Sequence, residues 1–230
     1  MNNAVRLFGA IAVRPAVLAL ISQFEKATGF TVAAKWELNP TVKKQIEAGE
    51  PFDLVITNPN LIQGLVASGK VKAGSQAAFG RVAMGVAAKA GCRQPEIGSV
   101  ETFEHALKSA RSVAYASEGT SGGYFSDLLE RLGIADEVKP KLVAISGGQT
   151  AAAVGRGEAE LGVIPVTSIL AAAPEVTLVG LFPAELQSYV EFAIGLSTDP
   201  THAEAAKQLS GFLTSMAVDD ILAAKGVERR

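Results

Sequence analysis

Short apolar runs alternate with stretches of helical period along most of the chain, and this alternation limits the fold more than any other feature. In the first third of the chain, strands and helices are predicted in turn over residues 4–8, 15–28, 30–35, 40–48, 52–57 and 60–68. Strands that alternate with helices are typical of an α/β protein with a largely parallel sheet. The sequence therefore predicts the α/β class, with helices flanking each sheet.

A second α/β pattern fills the middle of the chain, whereas the tail after residue 200 has helical period and no strands. The tail must pack on an existing layer, and the first α/β unit is the natural one. The chain would then cross between two lobes twice, near residues 80–84 and 185–192. We predict one lobe of residues 1–82 plus 188–230, a second lobe of residues 83–187, and a hinged ligand cleft between the lobes.

Composition narrows the classes of function. The 230 residues are 48% hydrophobic and 19% charged, which is ordinary for a folded protein with a sizeable core. The net charge of −2 argues against the broad basic surface that nucleic acid needs, and no apolar run is long enough to span a bilayer. A single cysteine, Cys92, rules out an internal disulfide framework. No Ser-His-Asp arrangement, P-loop or cluster of metal ligands is present, so we expect no metal and no cofactor.

Five loops share one design, in which a strand ends and a small or polar segment opens a helix: residues 9–15, 37–41, 57–60, 118–123 and 146–150. In open α/β sheets, loops at the carboxyl ends of strands face the ligand crevice. The helices that they open present backbone N–H groups at their positive ends, which suits an anion. Ordinary turn chemistry explains any one such loop equally well. Five of them together favour an anion site.

Four segments resemble the molybdate-binding branch of the type II periplasmic solute-binding proteins: FEKATG (24–29), QIEAGEPFDL (45–54), LERLGIAD (129–136) and GEAELGV (157–163). They follow one another in the right order and span most of the chain. The resemblance implies a two-lobed type II periplasmic-binding-protein fold, in which each lobe is a mixed sheet flanked by helices. It also implies a small anionic ligand in the cleft and an ABC transporter membrane subunit as partner.

The ligand positions that the resemblance implies are altered in this chain. The two serines and the tyrosine of molybdate binders fall at Ala12, near Asn39 and near Pro165. Arg14 in the first loop and Arg81 at the predicted crossing offer guanidinium groups instead. A guanidinium grips a carboxylate in a bidentate fork, which suits an organic acid better than a small tetrahedral oxyanion. We therefore expect an organic carboxylate as ligand.

The candidate ligand-binding residues combine these positions with the polar and glycine residues of the loops: Ala12, Arg14, Asn39, Thr57, Asn58, Arg81, Thr120, Ser121, Gly122, Gly123, Gly147, Gly148, Gln149 and Pro165. Trp36 and Tyr124 are candidates for the pocket wall. Backbone N–H groups near Gly122 and Gly148 are expected to donate to the ligand.

Solute binding for an ABC-type transporter is the main interpretation, and three alternatives stay open. They are an enzyme similar to bacterial aconitate isomerases, a binding protein for molybdate, tungstate or another oxyanion, and a cytoplasmic ligand sensor. For the enzyme, the loops offer Glu37, Glu118 and Tyr124 for proton transfer.

A monomer is expected. The apolar start of the chain resembles a signal peptide, but Arg14 and Pro15 interrupt it. We therefore expect a periplasmic protein if a leader has been removed, and otherwise a cytoplasmic one.

Overall fold

The computed structural model describes residues 4–146 and 148–229, which divide into two compact units. The first unit takes in the chain up to Arg81 and again from Glu191 onward, and the second unit is Val82–Val190. Each change of unit falls inside a β-strand rather than in a loop. The chain therefore passes from one unit to the other along extended backbone, at two places.

The first unit opens with three strands and three helices in strict alternation: β1 (Ala4–Ala10), α1 (Arg14–Thr28), β2 (Thr31–Glu37), α2 (Asn39–Glu47), β3 (Leu54–Thr57) and α3 (Pro59–Ala67). This order confirms the alternation predicted from the sequence. A proline in the first turn begins each of the three helices, because its fixed φ suits that turn and its missing N–H costs nothing there. Gly29 ends α1 in the left-handed conformation, with φ of 76°.

The chain then enters the second unit through a long strand, and the following elements run to the end of that unit: β4 (Ala77–Lys89), α4 (Val100–Ser109), β5 (Val113–Tyr115), α5 (Thr120–Arg131), α6 (Ala135–Val138), β6 (Leu142–Ala144), α7 (Thr150–Arg156), β7 (Leu161–Pro165), α8 (Val166–Leu170) and β8 (Val176–Leu181). Strand β4 is longer than the predicted run of residues 81–88, because the preceding residues are also apolar. Helices α6 and α8 were not predicted, since four or five residues are too few to show a helical period.

The tail returns to the first unit through β9 (Tyr189–Leu196) and continues as α9 (Ala203–Thr214) and α10 (Asp219–Ala224). The two predicted tail helices are thus confirmed. Helix α1 packs against both of them, and the rings of Phe24 and Phe212 lie 5.8 Å apart between centroids. No helix in the described part of the chain is both long enough and apolar enough to cross a membrane.

Each unit contains parallel strands whose carboxyl ends meet at one edge. In the first unit the order is β2-β1-β3-β9, with β1, β2 and β3 parallel and β9 antiparallel to β3. In the second unit β5 lies between β6 and β7 and is parallel to both, while β4 runs antiparallel to β7 and to β8. The loops that follow the parallel strands are therefore brought to a common edge within each unit.

Apolar side chains fill the space between the helices and each sheet. In the first unit one buried cluster joins Phe8 and Val55 of the sheet to Val42, Ile46 and Ile62 of the helices. In the second unit the corresponding cluster is built from small and branched residues that include Ala87, Ala114, Val154, Ile164 and Val176. These two cores hold the strands, and hence the loops at their ends, in place.

A buried carboxylate ties three segments of the first unit together. Asp53 has no exposed surface, and its Oδ2 accepts from the backbone N–H (2.8 Å) and Nε (3.2 Å) of Arg6. Its Oδ1 accepts from Arg6 Nη2 at 2.8 Å and from the backbone N–H groups of Thr201 at 2.6 Å and His202 at 3.4 Å. Burial by itself raises the pKa of Asp53, but the bonds from Arg6 and Thr201 outweigh it and hold the pKa below its ordinary value.

Candidate functional site

The first candidate region is the edge of the first unit at which β1, β2 and β3 end. Gly9 lies in register with Trp36 of β2 and with Ile56 of β3. The loops that leave these three strands therefore start side by side. The predicted residues Ala12, Arg14, Asn39, Thr57 and Asn58 lie in these loops or at the ends of the elements that they join, so the sheet brings all five to the same edge of the first unit.

Asn39 and Thr57 form a buried polar pair at this edge. Asn39 opens α2 and is 7% exposed, and Thr57 ends β3 and is fully buried. The hydroxyl of Thr57 donates to Oδ1 of Asn39 at 2.8 Å. Because Thr57 has no exposed surface, its side chain supports Asn39 and is not itself available to a solute.

Arg14 and Glu37 are charged residues of the same region. Arg14 is exposed in the first turn of α1, and no described residue forms an ion pair or hydrogen bond with its side chain. Glu37 ends β2 in register with Ala10, and its carboxylate likewise has no partner among the residues that the structure describes. Ala12 is half-buried in a single 3₁₀ turn of residues Ile11–Val13, between β1 and α1. The edge thus offers one cation and one carboxylate that form no ion pair with the described residues.

Trp36 packs closely on the first strand. A side chain at Gly9 would place its Cβ 2.3 Å from Cζ3 of Trp36, so only glycine leaves room for the indole ring. The ring therefore lies against the backbone of β1 just before the first loop. This contact was not predicted, although a glycine at the end of an otherwise apolar strand is the kind of signal that marks a close approach.

Asn58 and Arg81 make contacts within the first unit. The amide of Asn58 donates to the carbonyl of Glu191 at 2.7 Å and so links the end of β3 to the returning chain. The guanidinium of Arg81 pairs with the carboxylate of Glu228 at 3.0 Å, and the two residues also exchange both backbone hydrogen bonds at 2.8 Å. The partner that a half-buried arginine requires is thus provided by the protein's own C-terminal segment.

In the second unit, the loop of residues 117–119 and the first turn of α5 hold four of the predicted residues. Thr120 is exposed, whereas Ser121 is buried. The N–H groups of Gly122 and Gly123 both donate to the carbonyl of Gly119 at 3.1 Å, as part of the first helical turn. Backbone donors toward a solute at this end of α5 would therefore come from the residues before Gly122.

Gly122 is required by a close approach of the helix to Ala116, the residue that follows β5. A Cβ at this position would lie 1.9 Å from the carbonyl oxygen of Ala116, so any other residue would force the turn apart. A Cβ at Gly123 would meet nothing within 4 Å. Only the first of these two predicted glycines is thus explained by local packing.

The other predicted residues of the second unit follow β6 and β7. Gly148 has a positive φ of 74° and Gln149 precedes α7, whereas Gly147 lies outside the described residues. Pro165 ends β7 and is buried, directly before α8. Sequence reasoning missed Thr150, whose buried hydroxyl has no hydrogen-bond partner among the described residues. The sequence feature that could have identified Thr150 as a candidate is its position directly after a glycine-rich loop.

Of the residues considered for proton transfer in the second unit, Tyr124 is firmly held. Its hydroxyl donates to the carbonyl of Leu186 at 2.7 Å, and the guanidinium of Arg131 lies 5.6 Å from the centre of its ring. Glu118 is exposed in the loop before α5. No group of three or more His, Cys, Asp or Glu residues in the described ranges is arranged to hold a metal ion.

Comparison with known proteins gives consistent matches. The family model described as bacterial extracellular solute-binding protein matches residues 5–228. An aconitate isomerase from Pseudomonas sp is 32% identical over 198 residues, which cover 84% of this chain and 75% of that protein. The molybdate-binding protein ModA of Escherichia coli (strain K12) is 28% identical over 200 residues, which cover 85% and 77%.

A solved structure extends the comparison to the fold. The periplasmic molybdate-binding protein of Azotobacter vinelandii superposes with a TM-score of 0.83 at 19% identity, and the match covers 98% of this chain and 99% of that one. At this identity the likeness concerns the fold alone. The predicted fold class, a two-lobed type II periplasmic-binding-protein fold, is thereby confirmed.

Proposed function

Because the chain belongs to the bacterial extracellular solute-binding protein family, we propose that it captures a small anion outside the cytoplasmic membrane and delivers it to an ABC-type transporter. The strand-end loops of the first unit support an anionic ligand, since they combine an arginine with a buried carboxamide at the start of a helix. The positive end of α2 adds to the attraction for negative charge.

The ligand that we propose is an organic carboxylate, and Arg14 is the observation that carries this proposal. Its exposed guanidinium has no partner among the described residues, and it lies two residues after Ala12, where the resemblance implies a serine. A planar guanidinium matches the two oxygens of a carboxylate. We do not assign Arg81 to the ligand, because Glu228 already pairs with it.

The loops of the second unit are proposed to offer donors to an anion as well. Thr120 and Ser121 begin α5, and Gly148 and Gln149 precede α7. Backbone N–H groups at such positions are not used by the helix itself and can bind a negatively charged oxygen.

Replacement of Arg14 tests the proposed carboxylate site. Loss of a charge-assisted hydrogen bond should weaken binding of citrate or trans-aconitate by about tenfold or more, measured by isothermal titration calorimetry. Arg93→Ala is the matched control, because Arg93 is an exposed arginine of the second unit that lies outside the candidate loops. Equal affinities for the wild-type protein and Arg14→Ala would remove Arg14 from the site.

An aconitate isomerase is the second candidate function. The 32% identity to the Pseudomonas enzyme favours it, and so does the uncompensated carboxylate of Glu37 beside the first-unit loops. An isomerase needs a base that takes a proton beside a substrate carboxylate and returns it after the double bond has moved. Glu37 is the residue that we propose for this step, with Arg14 holding a carboxylate of the substrate.

Proton NMR of cis-aconitate incubated with the purified protein separates the two candidates. Turnover that is lost in Glu37→Gln, while that variant still binds the substrate, would establish the enzyme. Binding without turnover would leave the solute-binding role. Turnover that persists in Glu37→Gln would show that a residue other than Glu37 acts as the base.

A further inference from the structure

We infer that Thr57 is a positioning residue, which orients the carboxamide of Asn39 so that its NH2 group, and not its oxygen, is presented to the ligand. The inference rests on the proposed function of the first-unit loops and adds the physical basis of their preference for an anion. It concerns two residues that are 18 positions apart in the chain and in direct contact in the structure.

The burial of Thr57 decides the orientation of the amide. A hydroxyl proton with no access to water needs an acceptor, and Oδ1 of Asn39, at 2.8 Å, accepts it. If the amide were turned over, its nitrogen would face the hydroxyl, and the Thr57 proton would lose the acceptor that it has in the structure. An unsatisfied buried donor disfavours that arrangement by about tenfold to a hundredfold.

The orientation leaves the amide nitrogen of Asn39 as the available group. No described residue accepts a hydrogen bond from Nδ2, and the residue as a whole is 7% exposed. Asn39 is also the first residue of the nine-residue helix α2, whose N–H groups make this end positive. An unpartnered donor on a residue that is 7% exposed and a helix N-terminus thus coincide, and both favour a negatively charged oxygen.

As a consequence, the preference for a negatively charged ligand depends on Thr57, a residue that the ligand does not contact. A carboxamide can offer either a donor or an acceptor, and would accept neutral or protonated ligands if it could turn freely. With its oxygen turned toward Thr57, Asn39 presents its NH2 group, a donor, to the ligand. The ligand must then contribute an acceptor at this point, as an ionised carboxylate does.

A double-mutant cycle tests the inference in the intact protein. Thr57→Val removes the hydroxyl but keeps the branched shape, and Thr57→Ser, the matched control, keeps the hydroxyl. We expect Thr57→Val to weaken binding of trans-aconitate by about tenfold and Thr57→Ser by less than about threefold. In the background of Asn39→Ala, Thr57→Val should have no further effect, because its effect acts through the carboxamide.

Equal weakening by Thr57→Val in both backgrounds would overturn the inference, since a structural defect would not depend on Asn39. Unchanged binding in Thr57→Val would overturn it as well. Circular-dichroism melting of each variant verifies that the proteins compared are folded.

A second measurement needs no ligand and therefore separates this inference from the proposed function. In the free protein, the NMR signals of the Asn39 side-chain NH2 are identified by their loss in Asn39→Ala. They should form one set in the wild type and in Thr57→Ser, and should be doubled or broadened in Thr57→Val, in which both orientations are populated. One unchanged set in all three proteins would contradict the role of Thr57, whether or not any anion binds.

Discussion

Removal of the Asp53 carboxylate should be the most destabilising single change to a polar group in the first unit. Asp53→Ala leaves the guanidinium of Arg6 and the backbone N–H groups of Arg6, Thr201 and His202 without their acceptor. Loss of one partner of a buried ion pair costs about 3–5 kcal/mol. The side chain of Arg6 is 32% exposed and can regain water, which favours the lower end of that range. We expect a loss of about 3 kcal/mol in the free energy of unfolding.

Urea unfolding followed by tryptophan fluorescence measures this loss, because Trp36 is the protein's single tryptophan and lies in the first unit. Glu50→Ala is the control. It breaks an ion pair with Lys35 in the same unit, at 3.1 Å, in which both side chains are about 40% exposed. Such a pair contributes less than about 1 kcal/mol. A loss below about 1 kcal/mol for Asp53→Ala would refute the argument that this carboxylate holds the three segments together.

Two further predictions follow from the same structure. Because the pKa of Asp53 is lowered in the folded protein, its stabilisation is complete above the unfolded pKa of about 3.9 and is lost as the pH falls through the lower folded value. The difference in unfolding free energy between the wild type and Asp53→Ala should therefore be constant from about pH 5 to 7 and should shrink below about pH 4; a constant difference down to pH 2 would contradict this. Gly122→Ala should lower the stability of the second unit by about 1–3 kcal/mol, since its Cβ meets the carbonyl of Ala116, whereas Gly123→Ala should be neutral or stabilising. Thermal melting of the two variants compares them directly, and equal melting temperatures would contradict the packing argument.

Much of the architecture could be predicted from the sequence because it depends on local patterns. Helix starts at prolines and helix ends at glycines are encoded within a few residues, and the alternation of periods identifies the α/β class. The short helices α6 and α8 could not be predicted, since they form where the surrounding chain packs them rather than from a period of their own.

The candidate site was less predictable because its contacts join distant parts of the chain. Arg81 was predicted as a guanidinium for the ligand, but nothing local indicates that it pairs with Glu228, 147 residues later. Thr57 was predicted as a ligand residue, but nothing local indicates that it is buried and donates to Asn39, 18 residues earlier. The roles of Arg14, Asn39 and the second-unit loops as ligand residues stay predictions.

Family membership and ligand identity are separate conclusions for this chain. The fold is shared with molybdate-binding proteins, and the resemblance to the molybdate-binding branch is confirmed by the family match and the curated relatives. A fold of this kind can host different ligands, because specificity lies in a few loop residues. In this chain Ala12 is one of the predicted ligand positions and Arg14 lies two residues later, and these two residues carry the proposed change of ligand.

A thermal-shift measurement of the purified protein with di- and tricarboxylates, molybdate, tungstate, sulfate and phosphate tests the central claim most directly. A ligand that binds the folded state raises the melting temperature as its concentration exceeds the dissociation constant. The account predicts stabilisation by at least one carboxylate, and a loss of that stabilisation in Arg14→Ala. Stabilisation by molybdate or tungstate and by none of the carboxylates would contradict it.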